Sequence, residues 1–267
     1  MEKSILFFDI DGTIVSEDGR HIIPKSTKDA LKQARENGHI IMVNTGRTSL
    51  IVDKNIRELG FSGLICGCGT QIILDDKEIL RHKNDAAKCR EIADLFEKLK
   101  ISAIFEGADQ MGYNKDLEIN DELRSMIDLF EQMNYRMITT DSNDFYFDKL
   151  FCWARDDESF EEFESVLSKD FGIIRRGDTG IIRRCEVVPK GYSKATGMEF
   201  VMKKLGIPRE RSFAFGDSTN DLPMLEYAAH SAAMGGCPLD VAQKVEFVTD
   251  TLYNDGLANA MKRFKLI

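Results

Sequence analysis

Two aspartates one residue apart, Asp9 and Asp11, stand at the end of the apolar run Ile5–Phe8 and are followed by Gly12 and Thr13. Carboxylates at the end of a buried strand are costly unless something there uses their charge. If residues 5–11 are extended, the two-residue period puts both carboxylates on one side, about 6.6 Å apart at ~3.3 Å per residue. So placed, they suit nucleophilic attack by one and proton transfer by the other, or a shared divalent cation. An Asx-type turn closing a strand reads the same residues without chemistry.

Three more clusters follow apolar runs: Thr45-Gly46, Lys194, and Asp217 with Asn220 and Asp221. Thr45-Gly46 by itself is a turn, and 217–221 by itself is loop-to-helix capping. Lys194 is more telling, because the first turn of a helix disfavours a cation by a few tenths of a kcal/mol. A use for it would be an anion held between lysine and helix end, the alternative being a solvated surface lysine. Together the clusters form one constellation. Asp9 and Asp217 with a backbone carbonyl offer hard oxygen ligands for Mg²⁺. The cation and Lys194 would neutralise a phosphoryl group while Thr45 and backbone amides hydrogen-bond its oxygens. No serine–histidine pairing, Gly-x-Ser-x-Gly elbow or Walker-type loop competes. Gly67-x-Gly69 is half a dinucleotide fingerprint, with Ile72 where the third glycine would be.

The elements that must carry these residues read as an α/β chain. A helix is expected over 24–38, capped by Ser26 or Thr27 and stopped at Gly38, then a strand over 39–43, a helix over 50–59 and a strand at Gly63–Cys66. Asp18-Gly19 within 14–23 reads as a hairpin, as does Asp75-Asp76 between Gln71–Leu74 and 78–80. Strands and helices alternating through short links predict a Rossmann-like, doubly wound parallel sheet, with ligands at the carboxyl ends of its strands. The texture changes near 82. Charged helices over 85–100, 118–133 and 156–170 alternate with strands at 101–105, 135–138 and Lys149–Ala154. Residues 172–176 and 181–187 then flank the turn Asp178-Thr179-Gly180. This is an inserted α+β domain, 82–185, within an α/β core of 1–81 and 186–267. The core resumes with a helix over 193–205, whose Met198, Val201, Met202 and Leu205 form a core stripe. Strands follow at 212–215, 232–234 and 246–248. Pro223 opens a helix, and Asn254 caps a closing one over 254–264.

The chain has 267 residues, 43% hydrophobic and 30% charged, with net charge −9 and pI near 5.1. That acidity argues against a general nucleic-acid or anionic-membrane surface. No secretory signal or membrane span is visible. Six cysteines without a Cys-x-x-Cys pair read as free thiols in a reducing cytoplasm.

DIDGT (9–13), TGR (45–47), Lys194 and GDSTND (216–221) resemble the four ordered motifs of the haloacid dehalogenase superfamily of phosphohydrolases. The position and size of the insertion are similar to those of the Cof-type subgroup, as are Ala233-Met234-Gly235-Gly236 and Asn254-Asp255-Gly256. Residues 66–70 depart from the Asn-Gly-Ala usual there, and Asn44 replaces a more usual small residue. The resemblance implies that Asp9 is the nucleophile that becomes an aspartyl-phosphate and that Asp11 is the general acid, then the base for water. It implies Mg²⁺ on Asp9, the Asp11 carbonyl and Asp217. Phosphate would meet Thr45, Gly46, Lys194, Asn220 and the Ile10 amide, with Asp221 orienting Lys194 or a metal-bound water. The insertion would be a cap that excludes water and supplies specificity. In it, Arg175-Arg176 and Arg183-Arg184 lie in strands. One of them would bind a second anionic group on the substrate, or they would pair with the acidic helix over 156–164. The resulting expectation is a cytoplasmic Mg²⁺-dependent phosphatase of small phosphorylated metabolites, plausibly sugar phosphates. A phosphomutase or phosphotransferase with the same site is one alternative, and a non-catalytic metabolite-binding regulator is another.

Overall fold

The computed structural model describes residues 3–118, 120–179 and 182–267, with 176–179 and 182 as backbone only. In chain order its main elements are β1 (Ile5–Phe8), α1 (Lys25–Glu36), β2 (Ile40–Asn44), α2 (Lys54–Arg57), β3 (Gly63–Cys66), β4 (Gln71–Leu74), β5 (Lys77–Arg81), α3 (Ala86–Lys98), β6 (Ser102–Glu106), β7 (Met111–Tyr113), α4 (Asp121–Gln132), β8 (Met137–Thr139), β9 (Lys149–Ala154), α5 (Asp157–Leu167), β10 (Phe171–Thr179), β11 (Ile182–Pro189), α6 (Lys194–Leu205), β12 (Ser212–Gly216), α7 (Leu222–Tyr227), β13 (His230–Ala233), α8 (Leu239–Ala242), β14 (Phe247–Val248) and α9 (Gly256–Arg263). They form two units. One runs to Arg47 and takes in Val52–Leu80 and Tyr192–Ile267; the other is Thr48–Ile51 with Arg81–Gly191.

The first unit is built on a sheet of order β14-β13-β12-β1-β2-β3-β4-β5. From β14 to β3 every pairing is parallel, and β4 turns antiparallel onto β3. Alternation along β1 decides the layering. Leu6 and Phe8 pack on one face with Leu31 and Ala34 of α1 and Leu257 and Met261 of α9. Ile5 and Phe7 pack on the other with Met198, Val201 and Met202 of α6 and Met224 of α7. The sheet is therefore covered on both faces, which is why its central strands are continuously apolar. The methionine stripe of α6 is core, as its spacing predicts. Each such side chain contributes about 1.5–3 kcal/mol by full burial.

Several local expectations differ. Ser26 and Thr27 lie inside α1, and Pro24 at its N-cap makes no cap bond. Residues 14–23 do not pair as strands. Asp18 instead gathers the hydroxyls of Ser16 (2.9 Å) and Tyr253 (2.6 Å) and the Arg20 guanidinium (2.9 Å), which fixes the segment as a turn. The helix expected over 50–59 shrinks to a 3-10 turn at Ser49–Ile51 and the single turn α2. Leu50 and Ile51 pack in the second unit, so they share no stripe with Ile56. Asn254 does not cap α9; Asp255, left-handed at φ 60°, precedes it without a side-chain cap bond.

The second unit holds a sheet of order β10-β11-β9-β6-β7-β8. Its pairs are antiparallel except β7 with β8. Leu150, Cys152 and Ala154 of β9 face α3 and α5 through Phe96, Phe160 and Phe163. Trp153 and Ile104 meet Leu123, Ile127 and Phe130 of α4 on the other side. Strand β7 was not foreseen, being three residues long with a central glycine. The boundary expected near 186 falls inside β11, and the division lies between Gly191 and Tyr192. Val187 and Val188 are apolar because β11 lies beside β9 within this sheet. The turn expected at Asp178-Thr179-Gly180 runs into Gly180 and Ile181, outside the described residues. Among the described residues none of the six cysteines is in a disulfide, and no helix is long and apolar enough to cross a membrane.

Candidate active site

Strand β1 stops at Phe8, and the amide of Asp9 donates to the carbonyl of Phe215 (3.0 Å), which sets Asp9 beside the end of β12. Asp9 shares the parity of Ile5 and Phe7, the residues that face α6. Lys194 is the first residue of that helix. The helix end is closed by its own chain: the Ser193 hydroxyl accepts from the Thr196 amide (3.1 Å) and the Thr196 hydroxyl from the Ser193 amide (2.9 Å). Lys194 is thereby free to turn inward, where it is 1% exposed. Its Nζ lies 2.7 Å from Oδ1 of Asp9 and also donates to Oδ1 of Asp221. The anion that the sequence placed near Lys194 is thus a pair of aspartates. The few tenths of a kcal/mol lost to the helix dipole are small beside two charge-assisted hydrogen bonds. Burial alone would lower the Lys194 pKa, but Asp221 and Asp9 outweigh it and raise it above the ordinary lysine value.

Asp221 is fully buried, and its Oδ2 accepts from the amides of Asp217 (3.0 Å) and Ser218 (3.1 Å). This folds the loop after β12 back and presents Asp217. Carboxylate oxygens of Asp9, Asp217 and Asp221 all lie within 4.8 Å of one another. Burial first, then Asp221, pushes the Asp9 carboxyl up to about 7. Burial first, then Asp9, pushes Asp217 up to about 8. When all are ionised, three carboxylates against one ammonium leave a net charge of −2. Hard oxygen donors, excess negative charge and mutual repulsion together fit a bound divalent cation. Asp221 is committed to Lys194 and to two amides, so Asp9 and Asp217 are the side chains left for such an ion.

Asp11 does not share a strand face with Asp9, contrary to the expected extended reading. The chain turns at Ile10, whose carbonyl accepts from Ile14 (2.8 Å) and Val15 (2.9 Å). Asp11 meets Arg47 instead, with Nε 2.8 Å from Oδ2 and Nη2 2.5 Å from Oδ1. Thr45 follows β2 directly and is buried; its hydroxyl accepts from the Arg47 amide at 3.1 Å. Gly46 follows it, half-buried. Asn220 is buried, and its carbonyl oxygen accepts from the Ser218 hydroxyl at 2.6 Å. The structure thus brings Asp9, Lys194, Asp217 and Asp221 together, with Asp11 on Arg47 and Thr45 beside it.

Three further side chains support the site, and the sequence reading gave none of them a role. Thr13 donates to Oδ1 of Asp217 at 2.9 Å. Asn44 donates to the Lys194 carbonyl at 3.0 Å. Arg47 stands within TGR, but its partners are distant in the chain. A buried asparagine closing an apolar strand was the available signal for Asn44. Gly12 turns the chain beside them: at φ 74°, a Cβ would lie 2.4 Å from Oδ2 of Asp217. In the second unit, Arg175 pairs with Glu164 (3.6 Å) and Arg183 with Asp157 (2.9 Å), both on the acidic helix α5. Arg184 faces Glu122 at 3.6 Å. These contacts favour ion pairing over the second-anion role. The side chain of Arg176 lies outside the described residues.

Residues 6–261 match the family model of the haloacid dehalogenase-like hydrolases. YkrA of Bacillus subtilis is 26% identical over 272 residues, all of both chains. The 5-amino-6-(5-phospho-D-ribitylamino)uracil phosphatase YcsE of the same organism is 24% identical, over all of this chain and 97% of its own. A solved structure of the sugar phosphatase BT4131, of subclass IIB, is 28% identical with a TM-score of 0.83, over 99% of this chain and 100% of that one.

Proposed function

The chain belongs to the haloacid dehalogenase-like hydrolases, and on that footing we propose that it is a Mg²⁺-dependent phosphatase of small phosphate esters, working through an aspartyl-phosphate. The observation that carries this reading is Lys194 held between Asp9 and Asp221 with Asp217 alongside. Asp9 attacks phosphorus through a carboxylate oxygen, and the bond to the leaving oxygen breaks. Asp11 delivers a proton to that oxygen and then takes one from the water that cleaves the acyl phosphate. Asp9, the Asp11 carbonyl and Asp217 would hold the ion, which would supply charge neutralisation for the transferring group. Thr45, Gly46, Asn220 and the Ile10 amide hydrogen-bond the phosphoryl oxygens, and Lys194 neutralises their charge, oriented by Asp221.

The inserted unit, entering between Thr45 and Lys194 in sequence, is assigned the role of cap. Sugar phosphates are the favoured substrate class, supported by BT4131 being a sugar phosphatase. Six cysteines outside any disulfide support a reducing cytoplasm as its location. Hydrolysis of 4-nitrophenyl phosphate with Mg²⁺, and its loss in EDTA, tests the reading. No hydrolysis of this ester, or of any in a panel of phosphorylated metabolites, would leave the regulator alternative. Phosphate transferred to a sugar rather than to water would mark a phosphotransferase.

A further inference from the structure

Asp53 occupies the N-cap position of α2 with backbone angles that suit capping (φ −57°, ψ 147°), yet its side chain makes no cap bond. A helix start without its cap leaves backbone amides without a side-chain acceptor. A rule broken locally points to another use for the side chain. Oδ2 of Asp53 accepts instead from Nη1 of Arg47 at 2.9 Å. The opposite edge of the same guanidinium forks onto both oxygens of Asp11. A two-point contact with a planar carboxylate fixes its tilt as well as its distance, which a lysine cannot do. The backbone of Arg47 is held as well, its carbonyl accepting from the Gly67 amide at 2.8 Å.

We propose that Arg47 and Asp53 are positioning residues for Asp11. This rests on reading Asp11 as the acid and base of phosphoryl transfer. Asp53 orients the guanidinium, and the guanidinium aims the Asp11 carboxyl. When Asp11 turns one oxygen to the leaving group, Asp53 retains Arg47, so the carboxyl swings about a fixed partner. In the first step an Asp9 oxygen bonds to phosphorus as the bond to the leaving oxygen breaks, and the Asp11 O–H bond breaks as that leaving oxygen gains the proton. In the second, water loses a proton to Asp11 as its oxygen bonds to phosphorus and the Asp9 oxygen–phosphorus bond breaks, freeing the Asp9 carboxylate.

The test compares phenyl phosphate, whose leaving group needs the proton, with 4-nitrophenyl phosphate, whose leaving group needs it less. Asp53→Ala and Arg47→Lys are expected to lower kcat on phenyl phosphate about tenfold more than on 4-nitrophenyl phosphate, the pattern also expected of Asp11→Asn, with KM little changed. Equal losses on the two esters, or none, overturn the proposal. A double-mutant cycle of Asp11→Asn and Asp53→Asn in urea unfolding provides a readout independent of turnover. Coupling of about threefold or more in the unfolding constant is expected, and additivity overturns the relay. A wild-type enzyme inactive on both esters counts against the phosphatase reading, while the cycle still decides the relay.

Discussion

Nζ of Lys194 lies 2.7 Å from Oδ1 of Asp9, across 185 residues of sequence. The contact joins the ends of two elements that the topology makes neighbours: β1, at the centre of the sheet, and α6, packed on the face that Ile5 and Phe7 present. Because Lys194 also binds Asp221, one ammonium organises two buried carboxylates.

Replacing Lys194 with methionine leaves those carboxylates without their cation. Removing one partner of a buried ion pair costs about 3–5 kcal/mol, and urea unfolding at neutral pH should show a loss of that order. Part of it should return on acidification, because the folded protein then takes up the proton that buried Asp9 already favours. A loss below about 1 kcal/mol, the range of surface pairs, would contradict the buried geometry.

Thr13→Val removes the hydroxyl that donates to Asp217. Groups that orient a metal ligand influence metal affinity about 10–100-fold. The Mg²⁺ concentration for half-maximal turnover should therefore rise, while kcat at saturating Mg²⁺ changes little. An unchanged Mg²⁺ requirement would separate Asp217 from the ion.

Gly69→Ala tests how the start of α6 is seated. At φ 94° an L side chain is strained, and a Cβ would lie 2.4 Å from the carbonyl of Ser193. Stability should fall by more than about 1 kcal/mol. Turnover should fall with it, because the N-cap of Lys194's helix must move. Full activity in a stable variant would show that the position of Ser193 does not govern Lys194.

Much of this arrangement was legible in the sequence, for reasons visible in particular residues. Ile5–Phe8, Gly63–Cys66 and residues 150–154 lie in strands covered on both faces, and their apolar runs mark them. Asp9, Lys194 and Asp217 were legible because each breaks a local rule just past such a run or at a helix start. What could not be read were pairings set by tertiary packing. Thr13 with Asp217 spans 204 residues, Asn44 with Lys194 spans 150, and Arg47 with Asp11 spans 36. Leu50 and Ile51 misled because their stripe belongs to a different core from that of Ile56.

Asp148, in the second unit, offers a separate pH test. Its side chain is 2% exposed, and Arg81 lies 3.7 Å away. Burial, opposed by Arg81, pushes its carboxyl from 3.8 up to about 6. The folded protein then holds a proton there that the unfolded chain has released. The stabilisation is therefore present below the ordinary carboxylate range and is lost as pH rises through about 6. Asp148→Asn should remove that dependence, so its stability relative to wild type should rise between about pH 4 and 7. A constant difference across that window would contradict the shift.

The most direct measurement is turnover of 4-nitrophenyl phosphate by Asp9→Asn with saturating Mg²⁺, alongside circular dichroism and a thermal melt. The nucleophile assignment predicts no turnover above background from a variant that remains folded. Substantial Mg²⁺-dependent hydrolysis by the folded variant would show that phosphorus is attacked by something other than Asp9.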